Sequence, residues 1–273
     1  MDLTAVKLKN EDVNYSHEDY TVHVGSHRIL TVTTRCYYTA TKWITEVQKF
    51  YRNKSGPLLV GLHPSTNTLN PTYYRENTTT NPKKIPYDLL TLCIGSNCLL
   101  YHLPNPYDYY IPNAFLDFFA NPNVIVVGVN MSSFAKKLDE IHEIKITHKM
   151  DLNEMAERVM VGGKKEYPGL GGCSLDRLAE VVCGGDVWVD RPEGEVEWYV
   201  DDGRRWFYYG GDGAELTCEK VKYATLDAYF CYMVGDELLR KMRESASSVS
   251  SSSKKEKKKK KKKMKSEKSD KKK

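Results

Sequence analysis

The sequence lacks most of what would tie a chain to a membrane, a zinc finger or an oxidising compartment. Its apolar runs are short, as at Val124-Ile125-Val126-Val127, and none nears the roughly 20 residues that a bilayer-spanning helix needs. The chain opens Met1-Asp2-Leu3-Thr4 without a basic segment leading into an apolar one, so no secretory signal is expected, and the nucleus or the cytosol is the expected location. The cysteines number seven, an odd count with no Cys-x-x-Cys pair and no histidine at zinc-finger spacing, which fits a reducing environment. Cys93 and Cys98 flank Gly95-Ser96-Asn97, a turn sequence, and read as buried thiols rather than metal or redox groups.

Charge is present but unevenly placed. The whole chain has 41 Lys+Arg against 36 Asp+Glu, a net of +5. From Lys254 to Lys273 there are fourteen lysines and three acids, Glu256, Glu267 and Asp270, so this tail is net +11. The remaining 253 residues are therefore net −6, with 27 basic and 33 acidic side chains. Without the Ser/Lys run that begins at Ser245, about 244 residues are left, enough for one large core within single-domain size.

Periodicity along those residues alternates between two and 3.6. Tyr20-Thr-Val-His-Val-Gly and Arg28-Ile-Leu-Thr-Val-Thr-Thr flank a Gly-Ser turn and read as a β-hairpin. Trp43, Ile44, Val47 and Phe50 have helical spacing. Strands are expected at 58–62, 89–93, 98–101 and 124–129, with a helix opening at Pro112. Further helices are expected at 132–141, 152–159 and 174–182, where Ser174 supplies an N-cap, as Asp151 does before Leu152. A last helix should run from Thr217 to about Met242, with Gly235 as a point of interruption. Residues 184–215, rich in Gly, Asp, Trp and Tyr, break the pattern and read as an irregular insertion. Strands interleaved with helices predict an α/β fold, and the short link between the two strands around Gly95 requires an antiparallel pair, so the sheet is mixed.

Several segments, taken in order, carry a resemblance. They are Leu59-Val60-Gly61-Leu62, Cys98-Leu99-Leu100-Tyr101, Phe118-Phe119-Ala120-Asn121-Pro122, Val127-Gly128-Val129, Asp151-Leu152, and Leu216-Thr217 leading to Val221-Lys222-Tyr223-Ala224-Thr225-Leu226-Asp227-Ala228. Together they resemble the Werner-syndrome-protein-like 3′ to 5′ exonuclease domain, a DnaQ-like member of the ribonuclease-H-like group, over most of residues 20–240. The resemblance implies a ribonuclease-H-like mixed sheet flanked by helices in a single domain. It further implies a site of four carboxylates that hold two Mg²⁺ or Mn²⁺ ions, with a tyrosine orienting the attacking water. The boundaries that follow are an N-terminal extension at 1–14, the exonuclease-like domain at 15–243 including the insertion, and a disordered Ser/Lys tail at 244–273.

Against that pattern the chain is degenerate. Where the family carries Asp-x-Glu, this sequence has His63 and Ser65 around Pro64, and Phe134 stands at the next aspartate position. Of the four carboxylates only Asp227 is retained, with Tyr223 one helical turn before it. A neutral His63 suits a softer metal, but one carboxylate cannot hold two divalent ions against their mutual repulsion. Asp139 and Glu140 lie too far along their helix to replace Phe134, and Glu76 sits in a polar loop. Each residue also has a plain reading: Asp227 as a helix-surface carboxylate, Tyr223 as packing, His63 as a strand-end polar residue, Phe134 as filler of the metal's cavity. The aromatics from Trp198 to Tyr209 read as a patch under a loop or as base-stacking groups.

The expected function is a divergent, stand-alone exonuclease-like protein that binds nucleic acid and is catalytically impaired. The alternatives are an active Mg²⁺- or Mn²⁺-dependent 3′ to 5′ exonuclease, hydrolysing phosphodiesters of DNA or RNA, and a protein-interaction scaffold. The impaired form would need no cofactor. Nonspecific phosphate contacts are expected from Lys254, Lys255, Lys257, Lys258, Lys259, Lys260, Lys261, Lys262 and Lys263, a run that also reads as a nuclear-localisation signal. No membrane partner is expected.

Overall fold

The computed structural model describes residues 1–8, 16–51, 56–66, 87–104, 111–160, 169–184, 187, 189–200 and 215–270, with side chains as far as Ser245. Eight strands form one sheet. They are β1 (Leu3–Lys7), β2 (Glu18–Val24), β3 (His27–Thr34), β4 (Leu58–Ser65), β5 (Leu89–Ile94), β6 (Asn97–His102), β7 (Val124–Gly128) and β8 (Lys149–Asp151). Their spatial order is β1-β2-β3-β6-β5-β4-β7-β8. The pairs β3·β6, β4·β7 and β7·β8 are parallel and the others antiparallel, so the sheet is mixed as expected.

The two hairpins follow from their turns. Gly25 and Gly95 have φ of +57° and +61°, values that L side chains resist and that two-residue hairpin loops require. Val24 thereby pairs with His27 and Ile94 with Asn97. Cys93 lies directly opposite Cys98, and both are buried free thiols, as the turn sequence implied.

Helices cover both faces. On one lie α1 (Tyr37–Tyr51), α2 (Asn113–Ala120) and α3 (Met131–His142), sharing a core with Val60, Leu62, Leu90, Leu92 and Leu99. On the other lie α4 (Leu152–Met160), a 3₁₀ turn (Leu170–Gly172), α5 (Leu175–Cys183) and α6 (Cys218–Asp270), over Leu59, Leu89, Cys93, Leu100 and Val127. The assignment of Leu59 and Val60 to opposite cores is the period of two of a strand covered on both faces.

Two expectations need correction. Residues 1–14 are not wholly an extension outside the domain, because Leu3–Lys7 pairs with β2 along five residues and forms the sheet edge. Gly235 does not interrupt the last helix; a Cβ there would stand 2.7 Å from Val127 Cγ2, so the glycine lets α6 lie close on the sheet. The last helix has the bounds Cys218–Asp270. The lysines from Lys254 to Lys263 lie beyond the described side chains, and Glu76, Trp206, Tyr208 and Tyr209 lie outside the described residues. No helix among the described residues is long and apolar enough to cross a membrane.

Candidate nucleic-acid site

The site is set by how α6 crosses β4. A Cβ on Gly61 would stand 2.2 Å from the Ala228 carbonyl oxygen and 2.4 Å from the Tyr232 nitrogen. Only glycine permits that approach, so helix backbone rests directly on strand backbone. Asp227 precedes Ala228, and His63, two residues after Gly61, shares its face of the strand. Asp227 Oδ2 accordingly comes within 3.7 Å of His63 Nδ1. Burial pushes the His63 pKa down; Asp227 acts to raise it, and Lys220 and Arg191 to lower it. The imidazole is therefore neutral at pH 7, and its buried Nδ1 has no hydrogen-bond partner.

Asp151 arranges the next two helices. Its Oδ1 accepts from the nitrogens of Asn153 (2.9 Å) and Glu154 (3.4 Å), the N-cap that the sequence indicates. Its Oδ2 accepts from Met131 N at 2.8 Å, fixing the start of α3 as well. Before that start, Asn130 holds φ +55°, a left-handed conformation that Asn tolerates, and one turn on Phe134 reaches the cleft, edge-on to Tyr87. Asn153 Nδ2 donates to the carbonyls of Leu170 (2.6 Å) and Cys173 (3.1 Å), holding the turn that precedes α5. Ser174 Oγ then accepts from Arg177 N at 3.3 Å, so Asp176 sits in the first turn of α5.

The resulting cleft of about 590 Å³ is lined by His63, Val129, Asn130, Phe134, Gly172, Cys173, Ser174, Leu175, Asp176, Arg191 and Asp227. Three positions singled out in the sequence, His63, Phe134 and Asp227, thus converge. Ser65 and Tyr223 lie outside this lining. Ser65 ends β4, where its carbonyl accepts from Asp88 N. The Tyr223 hydroxyl donates to the Asp190 carbonyl at 3.4 Å, tethering the segment that carries Arg191.

Arg191 and Asp176 were not legible as site residues. The guanidinium meets Asp176 with two nitrogens, Nε at 2.7 Å and Nη2 at 2.8 Å, and the same Nη2 donates to Asp227 Oδ1 at 2.7 Å. Burial acts to lower the Arg191 pKa, but the two aspartates outweigh it and hold the guanidinium charged. The segment is pinned at its far end by an isolated bridge between Tyr199 and Leu216, and by Thr217 N donating to the Trp198 carbonyl. Trp198 is buried beneath Lys220, whose ammonium lies 3.7 Å from the ring centroid. The described part of the 184–215 insertion is therefore irregular in backbone yet firmly anchored, and Trp198 serves as packing.

Solved structures share this architecture. Escherichia coli RNase D, an exoribonuclease involved in structured RNA processing, is 13% identical with a TM-score of 0.53, and the match covers 78% of this chain and 45% of that one. The catalytic core of RRP6 from Trypanosoma brucei is 12% identical with a TM-score of 0.51, over 76% and 46% of the two chains. The fold is that of ribonuclease-H-like 3′ to 5′ exonucleases.

The chain spans less than half the length of either protein. The EXD2 exonuclease domain, solved after soaking in Mn and Mg, is 21% identical over 80% of this chain and 95% of that one, at a TM-score of 0.39, too low for its site to be carried over. No protein-family model matches the sequence, and no curated protein does.

The residues of the cleft do not fit the metal pair that this fold implies. Among the described residues no group of three or more His, Cys, Asp or Glu side chains is arranged to hold a metal ion. Asp227 is engaged by a fixed cation, and a second cation placed beside Arg191 would be repelled by it.

Proposed function

We propose that this chain is a divergent, Werner-syndrome-protein-like exonuclease domain that binds nucleic acid and has lost efficient phosphodiester hydrolysis. The reading rests on one observation: Asp227, the carboxylate retained from the family pattern, is bonded to Arg191 at 2.7 Å rather than left available to a metal ion. His63 and Phe134 stand at two of the other ligand positions and supply no carboxylate, and Ser65 at a third supplies only a hydroxyl. Two-metal hydrolysis needs ions on both the attacking and the leaving oxygen, and hard divalent ions need several oxygen ligands to sit close together. Fold does not establish activity, so this is a reading of the site rather than of the architecture.

The basic tail extends the proposal. Fourteen lysines beside a net-negative domain supply sequence-independent attraction to phosphates, and the same run would direct the protein to the nucleus. A protein partner is a further proposal of the same reading.

The test is 3′-end degradation of labelled single-stranded DNA, recessed duplex and RNA with Mg²⁺ or Mn²⁺, comparing wild type with Asp227→Ala. Equal, background-level degradation by both is expected. Degradation by the wild type that disappears in Asp227→Ala would overturn the proposal in favour of an active exonuclease.

A further inference from the structure

We propose that Tyr37 and Tyr38 form a stacking platform for the bases of a single-stranded nucleic acid that runs from the cleft along the end of the sheet. The inference rests on the nucleic-acid-binding reading and deepens it. It places a base contact on the folded body, apart from the lysine tail and outside the residues that line the cleft.

Three observations carry it. First, Tyr37 and Tyr38 are 49% and 69% exposed, whereas every other described tyrosine is buried or half-buried. Their ring centroids are 4.0 Å apart, and neither ring belongs to the core under α1, which Ala40, Trp43, Ile44 and Val47 make. The pair thus turns aromatic surface to solvent, and a nucleobase of any identity has a π-face to lay on it. Second, the pair stands at the end of the sheet that holds the cleft. β3, β6 and β4 run in one direction, so Arg35 after β3, His102 ending β6 and Ser65 ending β4 share one edge. Three strand spacings, about 14 Å, separate β3 from the strand that carries His63. Third, aromatic and cationic side chains span that interval. The Arg35 guanidinium lies 5.4 Å from the Tyr199 ring centroid, and Tyr199 lies nearly parallel to His102, at 6.2 Å and 22°. Burial, then Arg35 and Lys220, push the His102 pKa well down, so two cations attend a neutral imidazole. Lys220 also feels the charge of Asp227, two turns along α6, which brings the row to the cleft.

The alternation of rings and cations suits a polymer whose bases and phosphates alternate. No acidic side chain stands in the first turn of α1 to repel a phosphate. A duplex keeps its base faces inside its own stack, so the platform selects single strands. The row of cations that leads on to the cleft favours a polyanion over a protein segment.

The experiment titrates the full chain against two labelled probes by fluorescence anisotropy, from low salt to about 0.3 M, where contacts made to phosphate alone are weakened. One probe is an oligothymidylate of about 12 nucleotides and the other a base-free deoxyribose-phosphate oligomer of the same length. Wild type should bind the oligothymidylate more tightly than the base-free oligomer. Tyr37→Ala/Tyr38→Ala should lose about fivefold or more of its affinity for the oligothymidylate and none for the base-free oligomer. Its slope of log K against log salt should match that of wild type, because a tyrosine releases no counter-ion. Tyr37→Phe/Tyr38→Phe, which keeps both rings, should bind as wild type does. Tyr38→Ala, at the more exposed position, should show the same selective loss to a smaller extent, which keeps the test open should the double alanine variant fail to fold. Unchanged oligothymidylate affinity in the alanine variants overturns the inference and is what a protein-docking face predicts; nucleic-acid binding by the wild type then still stands. Equal losses on both probes overturn it as well, because they show contact with the backbone rather than with bases. Failure of the wild type to bind either probe at any salt overturns the nucleic-acid reading, and this inference with it.

Discussion

His142 shows how a single titratable side chain in this core couples stability to pH. It is 3% exposed, and its Nε2 accepts a hydrogen bond from Tyr87 N at 3.2 Å, a role that only the unprotonated nitrogen can play. Burial, reinforced by Lys137, pushes its pKa down to about 4. As pH falls below about 6.5 the unfolded chain takes up the proton before the folded one does, so stability is lost between pH 6.5 and 4 and is full above that window. At about 1.4 kcal/mol per pKa unit, this group contributes a loss on the order of 3 kcal/mol. His63 and His102 are shifted the same way by burial and add to the fall. Denaturant midpoints at pH 7 and pH 4.5 check this: His142→Gln, which keeps an acceptor and cannot be protonated in that range, should lose less stability than wild type between the two. His63, Phe134 and Asp227 are marked by the resemblance, and they meet because they ride on regular elements of period two or 3.6. Asp176 and Arg191 carry no such signal: the arginine lies 36 residues from Asp227, on a segment without a repeat.

At the scale of elements, α6 on β4 is the contact on which the cleft depends. Gly61→Ala would drive a methyl group into the Ala228 carbonyl, which is helix backbone and cannot rotate away. The expected result is destabilisation by at least about 2 kcal/mol, read as a lowered denaturant midpoint, together with displacement of Asp227 from His63. A midpoint within about 0.5 kcal/mol of wild type would show that the helix shifts freely and that the crossing does not position the site. The remaining elements were legible in proportion to their burial. The hairpin at 18–34, the β5–β6 pair and the capped helices carry apolar periodicity or turn glycines and fall where expected. The two strands missed, β1 and β8, are short and lie at the sheet edges, with half-buried and exposed residues along them. Such a strand has no apolar face to advertise in its sequence, and pairing with the neighbouring strand is what makes it one.

At the scale of the whole molecule, charge separates the chain into a body at −6 and a tail at +11. Deleting residues 245–273 should remove most nonspecific affinity for DNA and RNA and most nuclear accumulation. Each phosphate that the shortened chain no longer neutralises should reduce the slope of log K against log salt by about 0.7 on single strands. Unchanged affinity and slope, measured by titration at several salt concentrations, would place binding in the cleft instead. The amino-acid sequence by itself determined the mixed α/β sheet, most of its elements and the basic tail, because hydrophobic period, turn chemistry and charge are local properties of the chain. Tertiary structure alone decided which side chains line the cleft. Arg191, Asp176 and Asp227 are brought together by a glycine crossing, two helix caps and an irregular segment, and a contact between residues so far apart in sequence leaves no trace until the chain has folded.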